Sequence, residues 1–188
     1  MADLLSPGID RVVEAAFRKG VALDIRLMAH GPRNPADAAG ALGADLGQMV
    51  RSLVFVATNL QGRLTPILCL VSCLSQVDLA LTAALAGAVS VRPATAVEAY
   101  ELTGYSDGMV PPFGHDRNVT ILMDQDLCAY QWVWASAGAG GAFFRVAPRT
   151  LRMLANAIVA PLAWTGAPDV RAGRGMETQL RFGTGAQG

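Results

Sequence analysis

Residues 103–115, Thr-Gly-Tyr-Ser-Asp-Gly-Met-Val-Pro-Pro-Phe-Gly-His, restrict the fold more than any other stretch of this chain. Three glycines and the adjacent Pro111 and Pro112 exclude a helix interior and a central strand, because proline lacks the N–H donor that either would need. The segment is therefore a loop of costly composition. It is followed closely by the strand-like run Val119-Thr120-Ile121-Leu122-Met123. A rigid loop ending in Gly114-His115 at a sheet edge makes a natural wall for a small pocket. Glycines let backbone amides approach a ligand closely, and loops on a rigid scaffold often carry function.

The rest of the chain places that loop. Residues 8–19 carry Ile9, Val12, Val13, Ala16 and Phe17 at helical spacing. Val21, Leu23, Ile25 and Leu27 alternate with Ala22, Asp24 and Arg26, which predicts a strand. Asn34 caps a helix over 35–42 with Pro35 at its first position, and Gly43 closes it. Residues 51–57 and 65–72 read as two apolar strands joined by the short loop 59–63. Ser75 to Asp78 resembles a capping box before a helix over 77–86. A strand over 89–92 and a helix over 95–102 lead into the loop. Strands over 119–123, 131–136 and 142–146 follow, then a helix over 148–158. Roughly seven strands mixed with helices predict an α+β protein whose sheet is mixed.

At 188 residues the chain is expected to form a single domain over 1–164, with a loosely held tail over 165–188 rich in Gly, Arg, Gln and Thr. Apolar residues reach 52%, yet no apolar run attains the ~18 to 20 residues of a membrane helix. No signal-like N-terminus is apparent, so a cytoplasmic protein is expected. Net charge is zero, and Lys19 is the only lysine. A neutral chain is a poor non-specific binder of nucleic acid, since phosphate neutralisation drives that affinity. Arg145, Arg149, Arg152, Arg171, Arg174 and Arg181 form either a local basic rim or a set of dispersed solvated side chains. Cys69, Cys73 and Cys128 have no zinc spacing, so no metal and no cofactor are expected.

The loop TGYSDGMVPPFGH resembles the signature loop of the YbaK/EbsC family, aminoacyl-tRNA deacylases related to the editing domain inserted in bacterial prolyl-tRNA synthetase. Three more segments carry the resemblance in the same order: Met49-Val50-Arg51-Ser52-Leu53-Val54-Phe55, then Leu68 to Ser72 with Gln76-Val77-Asp78-Leu79, then Ser136-Ala137-Gly138 with residues 143–148. The match spans roughly 29–159. It implies a barrel-like mixed sheet flanked by helices. It also implies a trans-editing hydrolase that removes a wrongly attached small amino acid from tRNA, with tRNA and an aminoacyl-tRNA synthetase as partners.

By that resemblance the catalytic candidates are Arg51, Gly108 and Gly114, and the substrate-binding candidates are Met109, Pro111, Phe113, His115, Ser136 and Gly138. The family usually places a lysine where this chain has Arg51. Arginine keeps the charge and adds a fork of donors, but it is bulkier and does not lose its proton. The ordinary alternative for Arg51 is a strand-edge side chain reaching solvent, and for His115 a hydrogen-bonded loop residue. Asp78 and Asp124 are expected to cap a helix and end a strand, and His30 to be structural or exposed. The implied chemistry needs no Ser or Cys nucleophile: water attacks the ester carbon while the protein positions it and stabilises the oxyanion. Arg51 in place of lysine, the neutral charge and Met109 leave a second function open, a catalytically silent module that binds aminoacyl-tRNA or a synthetase.

Overall fold

The computed structural model describes residues 6–106 and 108–165. Helices are α1 (Pro7–Arg18), α2 (Pro35–Leu42), α3 (Leu79–Leu85), α4 (Ala96–Thr103) and α5 (Pro148–Ala155). Strands are β1 (Ile25–Leu27), β2 (Val50–Thr58), β3 (Leu64–Ser72), β4 (Ser90–Pro93), β5 (Thr120–Asp124), β6 (Val133–Ser136), β7 (Ala142–Val146) and β8 (Ile158–Ala160). The tail beyond Thr165, with Arg171, Arg174 and Arg181, lies outside the described residues.

The strands form two sheets. One has the order β4-β2-β3-β5-β8 and the other β1-β7-β6. The larger sheet is mixed as expected: β2 pairs antiparallel with β3 and β4, while β5 runs parallel to both β3 and β8. No closed barrel of ladders forms among the described residues; a single parallel bridge, Met49 to Trp134, links the two sheets.

β3 reads as a continuous apolar run because it is covered on both faces. Its Leu68 and Leu70 join Val50, Ile121 and Met123 in a core shared with α1, α5 and the inner face of the small sheet. Its Ile67, Cys69 and Val71 face the other way and pack with Phe55, Ala57, Leu122 and Leu162. On the small sheet Val133, Ala135, Phe144 and Val146 point into the first core. Trp134 and Phe143 point to the opposite face, where α2 covers them with Ala38 and Ala39.

Several local expectations correspond to what forms. Asn34 Oδ1 accepts the N–H of Asp37 at 2.9 Å and starts α2, with Gly43 in the left-handed conformation at its end. Three differences have physical causes. The helix after β3 starts two residues later than the pattern suggests, because Asp78 itself is the cap and accepts the N–H of Leu81 at 2.9 Å. The first strand is short, only Ile25–Leu27, since only these residues pair with β7. The last helix stops at Ala155 rather than Ile158, because Asn156 turns left-handed at φ 50° and releases the chain into β8.

Candidate functional site

β2 is paired along its whole length by β3, but β4 reaches only Phe55–Thr58 on the other side. The segment Val50 to Leu53 is left as an open edge. A cavity of about 360 Å³ sits against it. Met49 to Leu53 and Cys73 form one wall, Gly108 and Val110 of the signature loop a second, and Ser136 with Phe143 a third. Pro32, Asn34, Pro35 and Ala38, from the start of α2, close it over. Arg51, Gly108 and Ser136 were expected from separate stretches of sequence, and the fold brings them to one cavity.

Arg51 is half-buried. Its Nη2 donates to the carbonyl of Ser75 at 2.7 Å, while its Nε is buried without a partner. Ser52 Oγ on the same stretch is likewise buried and unpartnered. Buried donors without partners are uncommon and costly, and they recur where a ligand completes the bonding. Cys73 shares the wall, but burial pushes its thiol pKa up, opposed by the Arg51 charge. A protonated thiol is a poor nucleophile. Neither histidine is among the described lining residues.

Ser136 ties the loop to the hairpin. Its Oγ donates to the carbonyl of Met109 at 3.0 Å and accepts the N–H of Gly138 at 3.2 Å. Gly108 has φ 74°, a left-handed backbone that favours glycine, and a Cβ there would meet nothing within 4 Å. Met109 is 38% exposed and reaches towards Gly140 rather than lining the cavity.

The other expected site residues lie behind the wall. Phe113 is buried against Phe144, with ring centroids 5.6 Å apart. Pro111 is buried too, and its carbonyl accepts Nε2–H of His115 at 2.9 Å. Burial pushes the His115 imidazole below its ordinary pKa, an effect partly offset by that bond. Gly114 backs onto α1, and its carbonyl lies 3.0 Å from the Tyr105 hydroxyl, which also sits 3.3 Å from the carbonyl of Gly8. Gly138 (φ 89°) packs against the same two residues; a Cβ there would stand 2.7 Å from the Tyr105 ring. Arg11 completes this cluster: Nη1 binds Asp116 at 2.7 Å, Nη2 the carbonyl of Gly104 at 3.0 Å, and the guanidinium lies over the Tyr105 ring.

Away from the cavity, Asp124 ends β5 fully buried, and its Oδ1 accepts the N–H of Leu162 at 3.1 Å. His30 is exposed. Cys69 is buried and its thiol is pushed up to about 12, as an inert core cysteine should be. Sequence reasoning passed over Ser52, Cys73, Val110, Phe143 and the start of α2 as lining residues. Ser52 adjoins Arg51, which was a usable signal; the cover supplied by α2 had none, since it depends on long-range packing. Among the described residues no helix is long and apolar enough to cross a membrane.

The family model described as an aminoacyl-tRNA editing domain matches residues 31–154. A solved structure described as a candidate trans-editing enzyme for prolyl tRNA synthetase is 39% identical, with a TM-score of 0.77, covering 86% of this chain and 99% of that one. A second, from work on grafting epitope backbones onto scaffold proteins, is 35% identical, with a TM-score of 0.78, over 86% of this chain and 100% of that one. A third, a hypothetical protein, is 27% identical, with a TM-score of 0.74, over 82% and 99%. No curated protein matches. With the family model spanning most of the chain and the 39% identical structure covered almost whole, the protein belongs to the aminoacyl-tRNA editing domain family.

Proposed function

We propose that the protein is a trans-editing hydrolase that removes a wrongly attached small amino acid from tRNA. The observation that carries this is the meeting of Arg51, Gly108 and Ser136 on one 360 Å³ cavity, a size at the low end of small-molecule sites. Water adds to the ester carbonyl carbon, the bond to the ribose oxygen breaks, and that oxygen leaves as a hydroxyl after taking a proton. Arg51, which lines the cavity, supplies fixed positive charge and guanidinium donors for the oxyanion. A preorganised donor of this kind is worth ~10²- to 10³-fold in rate. The wall around Ser136 and Phe143 limits the size of the acyl side chain, so larger, correctly loaded residues are excluded by volume.

Gly114 and His115 act in this reading by fixing the loop from behind, through Tyr105 and the Pro111 carbonyl. Met109, Pro111, Phe113 and Gly138 are assigned the same supporting part. The partner is an aminoacylated tRNA acceptor end, and the similarity to a candidate trans-editing enzyme for prolyl tRNA synthetase favours tRNA loaded by that synthetase. A cytoplasmic location accords with this.

One observation favours the rival, a catalytically silent binding module: Nη2 of Arg51 is already held by the Ser75 carbonyl. Deacylation of a panel of mischarged tRNAs separates the two. Ester loss above the buffer rate for any member supports the hydrolase; binding without ester loss across the panel supports the module.

A further inference from the structure

The outer face of the small sheet continues past the cavity. Ser136 and Phe143, opposite each other on β6 and β7, line the cavity; the next pair on that face is Trp134 and Arg145. Trp132 follows two residues earlier, roughly 13 Å from Ser136 at strand spacing. The Arg145 guanidinium lies 5.2 Å from the Trp132 ring centroid and 5.7 Å from that of Trp134. Arg145 is exposed and has no ion pair among the described residues, whereas Arg26, Arg33 and Arg92 each have one. Trp134 is buried under α2, whereas Trp132 is 40% exposed. The Trp132 backbone is fixed, since its carbonyl accepts Nε2–H of Gln48 at 3.1 Å.

We propose that Trp132 and Arg145 form a stacking platform for an unpaired nucleotide of the RNA whose ester enters the cavity, the indole taking the base and the guanidinium a phosphate. The proposal rests on the editing reading above. An exposed indole offers a face to any base, and an arginine beside it supplies charge to the backbone, the pairing that single-strand binders use. The chain has no net charge to attract RNA from afar, so grip has to come from a local device of this kind. The platform lies on the same sheet face as the cavity, within reach of nucleotides adjoining the one that bears the ester.

The test uses the full chain and two uncharged RNA hairpins, identical except that one has an unpaired 3′ end and the other is blunt. Fluorescence anisotropy reads affinity. The expected result is preference for the unpaired end, weakened about 10-fold by Trp132→Ala and largely restored by Trp132→Phe. Arg145→Gln should lower the slope of log affinity against log salt by about 0.7, the value for one single-strand phosphate contact. Circular dichroism confirms that each variant is folded. Equal affinity for both hairpins, or Trp132→Ala binding as tightly as the unaltered chain, overturns the platform even if mischarged tRNA is hydrolysed. Conversely, Trp132-dependent binding with no hydrolysis of any aminoacyl-tRNA sustains the platform and defeats the hydrolase reading.

Discussion

Arg51 is anchored to Ser75: Nη2 of the arginine donates to the serine carbonyl at 2.7 Å, across from the open edge of β2. The bond fixes one end of the guanidinium and leaves Nε directed elsewhere without a partner. One side chain thus braces the turn after β3 and presents charge to the cavity.

Removing it should have two separable effects. Arg51→Ala is expected to reduce deacylation by ~10²-fold or more and to cost about 1 to 2 kcal/mol of stability from the orphaned Ser75 carbonyl. Arg51→Lys keeps the charge and should retain most of the turnover. Single-turnover deacylation and urea unfolding measure the two. Full activity in Arg51→Ala would remove this residue from the site.

Behind the signature loop, Phe113 is 4% exposed and Phe144 fully buried. Phe113→Ala leaves a cavity beneath the loop and should cost about 3 to 5 kcal/mol. The urea midpoint reports it. A loss below ~1 kcal/mol would mean that the loop does not depend on that ring.

Gly138 occupies a left-handed conformation at φ 89°, with Tyr105 and Gly8 in contact. Gly138→Ala should destabilise by more than ~1 kcal/mol, since both the backbone region and the space disfavour a Cβ. Thermal unfolding beside Gly140→Ala, a turn glycine without positive φ, isolates the effect. Equal midpoints for the two variants would contradict this packing.

Stability should fall as the solution becomes acidic. Burial depresses the His115 pKa in the folded chain from 6.5, so below pH 6.5 the unfolded chain binds the proton first. The contribution is complete above 6.5 and declines as the pH drops through the lower, folded value. Arg11 and Asp116 flank the ring with opposing influences, Arg11 lowering its pKa and Asp116 raising it. Urea midpoints between pH 8 and pH 5, with His115→Gln for comparison, test this. A variant as acid-sensitive as the unaltered chain would locate the dependence in another group.

Local chemistry made much of this legible. The Asn34 cap, the hairpin of β2 and β3, and the strands β6 and β7 depend on neighbours close in sequence, and they were readable. β8 was not. Ile158-Val159-Ala160 becomes a strand only because β5 offers a parallel edge, and nothing within three residues announces that. The site was divided in the same way. Arg51, Gly108 and Ser136 stood out as residue types at telling positions and do line the cavity. Gly114 is a catalytic and Gly138 a substrate-binding candidate by resemblance, but the structure sets them against α1 and Tyr105, contacts about a hundred residues apart in the chain for Gly114 and α1.

Helix α1 ends before residue 31, where the family match begins. Yet Gly8 and Arg11 on that helix touch Tyr105, Gly114 and Gly138, and so hold the signature loop and the last hairpin together from the rear. A polypeptide cut at the similarity boundary would retain every residue that faces the cavity while losing the strut against which the loop is seated. Its failure to turn over would report a missing buttress, not a missing reagent.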